Sequence, residues 1–322
     1  MILKRIFQSE RHAVSAFISL CCKLKKYFAK GFEYSLMYIL PSPDRLYIKW
    51  RYKKLCGRTL DLRNPQRLTE KIQWLKLYDR RPEYTALVDK YEVKKVVAGL
   101  VGEEHIIQTL GVWDRFDDID FAKLPDQFVL KCTHDSGSVV VCTDKSKFDF
   151  KQARKKLRQF LATPAYRRGR EWAYKNVKPR IIAEPYIDSL GKADSVEYKA
   201  SCFNGKVGFI TICKGIAHAS LEDRTNDHFD PDFNYVPFWA KYKHAKVRPE
   251  KPKEWDELIA LSEKLSAGIP YVRVDFYIID RRVYFGEMTF YTWNGFMQFE
   301  PDEYDRILGD MVTLPTKKRR GK

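Results

Sequence analysis

Two acidic residues interrupt apolar, strand-like runs: Asp275 stands between Val274 and Phe276, and Glu287 between Gly286 and Met288. The stretch YVRVDFYIID-RR-VYFGEMTF (271–290) reads as a hairpin with a short polar turn at 280–282. The two acids then pair across the ladder or one rung off. Side chains alternate along a strand, so both carboxylates can share one face, and Arg273, two residues before Asp275, projects to it. Charges on an apolar hairpin are costly unless something neutralises them. A divalent cation carrying phosphates would do so, since Mg²⁺ takes one or two carboxylates and leaves its other positions to phosphate oxygens and water. A cross-strand bridge from Arg273 to the acids on a solvated face would also do so. The bare backbone of Gly286 permits close approach of a ligand.

A second candidate lies in FVLKCTHDSGSVVVC (128–142). Lys131 sits inside the first apolar run, and Ser136-Gly137-Ser138 forms the bend to the next. A glycine hinge lets backbone N–H groups fold over anionic oxygens while a lysine on the adjoining strand adds a point charge. A surface hairpin with an edge lysine has the same appearance. The chain contains neither GxxxxGK[ST] nor GxGxxG, which excludes a Walker loop and the usual dinucleotide fingerprint.

The elements that must position these residues are mixed. LRNPQRLTEKIQWLKLYD (62–79) carries helix start signals at Thr69 and Glu70, and PEYTALVDKYEVKKVVAGLVG (82–102) predicts a second helix stopped by Gly102. KQARKKLRQFLA (151–162) and EWDELIALSEKLSAG (254–268) predict two more. IIQTLGVW and the run through LPDQFVLKC read as strands, RIIAEPYI (180–187) as a buried strand broken by Pro185, and VEYKASCFNGKVGFITICKG (196–215) as a hairpin turning at Asn204-Gly205. Helices mixed with antiparallel hairpins argue for an α+β or mixed α/β fold and against a solenoid or a bundle, and α+β is the expectation carried forward.

Charge is concentrated at the ends. Residues 1–58 hold 13 Lys and Arg against 3 Asp and Glu, and the tail KKRRGK (317–322) adds five positive charges; of the total of +17, about +2 is left for residues 59–316. Basic ends suit an anionic membrane, an acidic polymer or nucleic acid. No nucleic-acid module is recognisable, and the aromatics are spread through apparent core elements. HAVSAFISLCC (12–22) is half a membrane span followed by KLKK, which reads as a basic amphipathic helix able to lie on a membrane or pack on the body. Seven scattered cysteines without a CxxC fit reduced thiols in a cytoplasmic protein.

Taken together, Lys90, Lys131 with HDSGS, IIAEPYI, RVDFY and FGEMTF resemble the ATP-grasp fold. More narrowly, EKIQWLKLYDRRPEYTALVDKYEVKK, LGVWDRFDDIDFAKLPDQFVLKCTHDSGSVVVC, REWAYKNVKPRIIAEPYI and IPYVRVDFY are similar to the TupA-like branch, found among bacterial cell-surface polysaccharide genes. The likeness runs from about Asn64 to Pro315. It implies ATP between two α+β subdomains: a lobe over 61–125, a small subdomain with the glycine-rich loop over 126–190, and a C-terminal subdomain with the Mg²⁺ site over 191–315. A basic helical segment (1–60) and a basic tail (316–322) flank them. Lys90 and Lys131 would contact phosphates beneath a loop of Ser136, Gly137 and Ser138. Glu184, with the backbone at Tyr186 and Ile187, would meet the adenine, and Lys199 would serve the nucleotide or acceptor side. Asp275 and Glu287 would hold Mg²⁺, with Arg273 near the transferred phosphoryl. The family often has Asn two residues after the metal-binding Glu; here it is Thr289, and the following YTWNGF departs from the branch, so Thr289, Trp293, Asn294 and His134 become candidates for the acceptor pocket. His218 and His228 read as surface residues.

The activity implied is carboxylate–amine ligation through an acylphosphate, with small-molecule carboxylate and amine substrates, a glycan acceptor, ATP and Mg²⁺. The chain has no nucleophile elbow and no Cys–His signature, in keeping with chemistry that needs no side-chain nucleophile. Two alternatives stand beside it. Asp230-Pro231-Asp232 spells the D-x-D with which many glycosyltransferases hold a nucleotide-sugar metal, and the basic ends would suit a non-enzymatic adaptor on an acidic polymer or membrane.

Overall fold

The computed structural model describes residues 44–192, 195–215 and 224–316. The described residues from 52 onward form one compact unit, and residues 44–51 belong to another. The helix expected at 12–22, His218 and the tail 317–322 lie outside the described residues; the N-terminal basic segment is described from α1 (Asp44–Cys56) onward. Among the described residues no helix is long and apolar enough to cross a membrane.

The elements then follow as α2 (Leu68–Tyr78), α3 (Tyr84–Val88), α4 (Glu92–Val101), β1 (Gly111–Trp113), β2 (Phe128–Cys132), β3 (Val140–Cys142), α5 (Phe150–Leu161), α6 (Ala165–Gly169) and β4 (Ile181–Pro185). After α7 (Asp188–Gly191) come β5 (Val196–Phe203), β6 (Lys206–Lys214), β7 (Thr225–Phe229), α8 (Trp255–Ser266), β8 (Tyr271–Ile279), β9 (Arg282–Thr289) and α9 (Tyr304–Asp310). The strands make two antiparallel sheets, β1-β4-β2-β3 and β7-β6-β5-β8-β9, the α+β architecture expected.

Local chemistry sets the element ends. Glu70 starts α2 by accepting from the backbone N–H of Gln66 and Arg67 at 3.0 and 3.2 Å. Thr69, expected at the start, lies inside the helix, and its N–H and hydroxyl both go to Asp305. The helix expected over 82–102 is broken in two. Asp89 Oδ1 accepts from the N–H groups of Tyr91 and Glu92 at 2.8 and 3.2 Å, an Asx turn that ends α3 and opens α4. Lys90 sits in the break, with its N–H on Thr133 O at 3.0 Å.

Both long hairpins turn on two residues in the left-handed region. Asn204 and Gly205 have φ of 52° and 82°; Asp280 and Arg281 have φ of 49° and 67°, the twist that matches antiparallel strands. The first sheet packs on α5 through Phe128, Leu130, Cys132 and Leu157. The second buries Ala200, Cys202, Ile210, Ile212, Val272 and Val274 on one face, where α8 packs against β5, β6 and β8. Its other face is left for polar side chains.

Candidate functional site

Strand register carries chemistry across the whole second sheet. His228 pairs with Thr211, Thr211 with Lys199, Lys199 with Asp275, and Asp275 with Glu287. Five side chains from five strands therefore form one row, about 19 Å long at the usual strand spacing. The next row holds Phe209, Ser201, Arg273 and Thr289.

The direct opposition of Asp275 and Glu287 depends on a β-bulge. Phe276 pairs with Phe285 and Asp275 with Glu287, so Gly286 is skipped. Regular pairing would have set Gly286 against Asp275 and turned Glu287 to the apolar face. A Cβ on Gly286 would come within 3.1 Å of Asp275 O and of the Tyr277 ring. The glycine expected to admit a ligand admits the neighbouring strand instead.

Asp275 is the hub of the row, only 3% exposed. Arg273 donates to it with both arms, Nε to Oδ1 and Nη2 to Oδ2, each at 2.6 Å, and Lys199 Nζ donates to Oδ2 at 2.8 Å. Arg273 Nη2 also reaches Thr289 Oγ1 at 3.1 Å and Glu287 Oε1 at 3.4 Å. Lys199 is shared with Glu197, whose Oε1 accepts from the Tyr277 hydroxyl at 3.2 Å. Burial pushes the Asp275 carboxyl up, but Arg273 and Lys199 outweigh it and hold the group below the usual carboxylate range. Burial likewise pulls the Lys199 ammonium down, and Asp275 and Glu197 outweigh it to hold it well above its ordinary value. Asp275 and Lys199 are thus both charged at neutral pH.

A cavity of about 420 Å³ opens over this face. Of the residues expected at the site it is lined by Ser136, Lys199, Arg273, Glu287, Thr289, Trp293 and Asn294, with Asp275 beneath Lys199 and Arg273. Ser136 brings the hinge of the first sheet to the rim. Gly137, expected at the bend, takes φ of 103°, a positive φ that favours glycine. Ser138 is turned inward, accepting from Cys132 N–H at 2.8 Å and donating to Asp135 Oδ1 at 2.6 Å, so its hydroxyl closes the hinge. Lys90 reaches the same hinge, its ammonium on Asp135 O. His134 is buried with Nε2 on Thr163 O at 3.3 Å.

A second charged cluster forms in the first sheet. Glu184 takes Lys131 at 2.7 Å and Lys94 at 2.6 Å, one on each oxygen. Burial raises its carboxyl, but the two ammonium groups more than offset this and bring it down to about 2. Tyr186 and Ile187 follow just beyond the end of β4. Lys90, Lys131, His134, Gly137, Ser138, Glu184, Tyr186 and Ile187 are not among the residues lining the cavity over the second sheet.

Sequence reasoning missed Lys94 and Glu197. Glu197 had a legible signal, since it lies two residues before Lys199 on one strand and shares its face. His228, expected at the surface, is 4% exposed; its Nδ1 meets Thr211 Oγ1 at 2.8 Å, its ring stacks on Phe238, and burial with the nearby His244 brings its pKa down to about 3. Asp230 is spent on a turn, accepting from Asn234 N–H at 2.8 Å and from its amide at 3.1 Å. Neither it nor Asp232 lines the cavity, so the D-x-D pattern is a turn device.

Among the described residues no group of three or more His, Cys, Asp or Glu could hold a metal ion. The paired carboxylates of Asp275 and Glu287 do fit a cation that takes its remaining ligands from phosphate and water. Glu287, with 43% of its side chain exposed, faces the cavity, while Asp275 would have to share its oxygens with Arg273 and Lys199.

A family model described as TupA-like ATPgrasp matches residues 70–313. Among solved structures, D-cycloserine synthetase DcsG is 16% identical with a TM-score of 0.38, over 64% of this chain and 62% of that one. The D-alanine–D-alanine ligase from Bacillus anthracis is 20% identical with a TM-score of 0.36, over 63% and 57%. The D-alanine–D-alanine ligase from Helicobacter pylori is 17% identical with a TM-score of 0.35, over 77% and 69%. The chain thus spans 62% and 57% of the length of the first two. No curated protein matches the chain.

Proposed function

The chain belongs to the TupA-like ATP-grasp family, and from that premise we propose that it is an ATP- and Mg²⁺-dependent ligase joining a carboxylate to an amine. A carboxylate oxygen of the substrate attacks the γ-phosphorus and ADP leaves. The amine nitrogen then attacks the acyl carbon, phosphate departs, and the amine proton is lost to solvent. Mg²⁺ supplies charge neutralisation for the phosphate oxygens when bound. Asp275 and Glu287 would hold it, Arg273 would face the transferring phosphoryl, and Lys199 would hold an anionic oxygen beside it. Lys90, Lys131 and the Ser136–Ser138 hinge would cover the phosphates, with Glu184, Tyr186 and Ile187 on the adenine side. The two sheets would act as the two halves of the clamp, β2, β3 and β4 within 126–190 and the second sheet within 191–315, and hold the reactants in line.

The observation that carries this reading is the row Lys199–Asp275–Glu287 with Arg273, opening on a cavity whose rim includes the hinge residue Ser136. The finer assignment takes the carboxylate to be a uronic or amino acid and the product to be an amide on a bacterial cell-surface polysaccharide or its precursor. Its support is the setting in which the branch occurs, an analogy. ADP release, measured over panels of uronic acids, amino acids and amines, is expected to require Mg²⁺, a carboxylate and an amine together. Absence of turnover across those panels would retire the ligase.

A further inference from the structure

Trp293 and Asn294 follow one another with φ of 51° and 56°, and Lys241, whose ammonium rests 3.8 Å from the centre of the Trp293 ring, has φ of 70°. Left-handed backbone at three non-glycine residues is costly and persists only where the surroundings over-determine it, which happens most at ligand clamps. Two side chains of α2 do this for the turn. Gln73 Nε2 donates to Asn294 O at 2.8 Å and to Gly295 O at 2.7 Å, and Lys76 Nζ donates to Asn294 O at 2.8 Å and to Gly169 O at 3.0 Å. Both are 0% exposed. Lysine is almost never buried this completely, so the conformation it enforces carries a cost.

The clamp presents the Trp293 indole. It stands between two cavities, the one over the sheet and a neighbour of about 450 Å³ lined by Trp239, Lys241 and Phe299. Trp239 is 44% exposed and Trp293 41%. Two open indoles and the exposed Lys241 line a groove that shares Trp293 with the reaction cavity, where Arg224 and Tyr242 also lie. Glu300 is the one acid lining the second cavity.

We propose that this groove holds an oligosaccharide bearing carboxylates, with Trp293 dividing the reacting sugar from those that follow. A pyranose presents a face of C–H groups, slightly positive, which matches the negative face of an indole. The Lys241 ammonium lies on an exposed ring face, where a cation–π contact is weak; it can leave that face to a sugar and meet the sugar's carboxylate. An acidic peptide would use the lysine but has no ring face for the indoles. The assignment of this saccharide as the acceptor rests on the ligase reading above; the groove's affinity for it does not.

The test is a titration of the full-length protein, without nucleotide, by indole fluorescence and calorimetry, using tetragalacturonate, maltotetraose and tetraglutamate. Tetragalacturonate is expected to bind, with maltotetraose and tetraglutamate each weaker by about tenfold or more. Trp239→Ala and Trp293→Ala should each weaken tetragalacturonate by about tenfold, and Lys241→Ala should weaken it and flatten its salt dependence. A fluorescent ATP analogue should bind Trp239→Ala as it binds the parent. Equal affinity for tetraglutamate, no effect of Trp239→Ala, or no binding of tetragalacturonate would each overturn the proposal. Saccharide binding without ADP release in its presence would retire the ligase and leave the groove standing.

Discussion

The two charged clusters of this molecule solve opposite electrostatic problems. In the first sheet, Glu184 lies between Lys94 and Lys131, one acid to two bases. In the second, Glu197, Asp275 and Glu287 are joined through Lys199 and Arg273, three acids to two bases. The first therefore carries a spare positive charge and suits phosphate oxygens. The second carries a spare negative charge and suits a cation. A metal–triphosphate needs one of each; the hinge follows β2, which carries Lys131, and its Ser136 lines the cavity over the second sheet. The contrast also extends to burial. Glu184 and Asp275 are both nearly sealed, whereas Glu287 stays half-open to the cavity, so each sheet contributes one carboxylate that organises cations and only the second contributes one free to reach a ligand.

The sharpest way to break this contrast is at the hub. Asp275→Asn should cost turnover about a thousandfold. It should also cost about 3 kcal/mol of stability, because Arg273 and Lys199 lose the buried charge between them. Glu287→Gln should lose a similar share of Mg²⁺-dependent turnover at less than about 1 kcal/mol, since its side chain is 43% exposed. ADP release across a Mg²⁺ titration, with urea unfolding of each variant, separates the two. Equal stability losses, or an unchanged Mg²⁺ dependence in both, would remove the distinction between an acid that organises and an acid that binds.

The first cluster should respond to pH rather than to metal. The carboxyl of Glu184 is held at about 2 in the folded protein against an ordinary value of 4.5. A depressed carboxyl contributes stability that is present in full above its unfolded value and is lost as pH falls through the folded one. The window is thus pH 4.5 down to about 2, and the contribution above it is about 3 kcal/mol. Glu184→Gln should lower stability by that order at pH 7 and converge on the parent at the acid end. Its Mg²⁺ dependence should match the parent's while its affinity for ATP changes. A Glu184→Gln stability profile parallel to the parent's across the whole range would show that the lysines do not hold this acid.

How much of this was legible in the chain follows from what kind of interaction carries each part. The hairpin that faces Asp275 with Glu287 was legible, and alternation put Arg273 on the face of Asp275, but the bulge at Gly286 that sets the two acids directly opposite was not. The reach of the row to Lys199, Thr211 and His228 was not legible, because it depends on the order β7-β6-β5-β8-β9, which pairs strands far apart in sequence. Lys94 escaped notice for a similar reason: only the packing of α4 brings it to Glu184, whereas its neighbours give no hint of a carboxylate. The break at Asp89 was a contest between helix periodicity and an Asx turn, and the side-chain acceptor won. Ser138 was read as part of an anion cradle, but its hydroxyl is used within the hinge, an outcome that turns on a rotamer rather than on residue type.

The smallest effect probes the register on which the second cluster depends. Gly286→Ala adds one methyl group, placed about 3.1 Å from Asp275 O and from the Tyr277 ring, where backbone has little room to yield. The expected cost is about 1–2 kcal/mol, and the apparent affinity for Mg²⁺ should fall roughly fivefold as the bulge loosens. A second bulge in the same sheet supplies the control. Ser201 pairs with Phe209 and Cys202 with Val207, which skips Gly208, and a Cβ there would come within 2.6 Å of the Phe203 ring. Gly208→Ala should therefore cost stability without touching the carboxylate pair. If the two variants lose Mg²⁺ affinity alike, general loosening of the sheet is the cause. If only Gly286→Ala does, the skipped residue is what sets Glu287 opposite Asp275, because a one-residue slip would turn Glu287 to the face packed under α8.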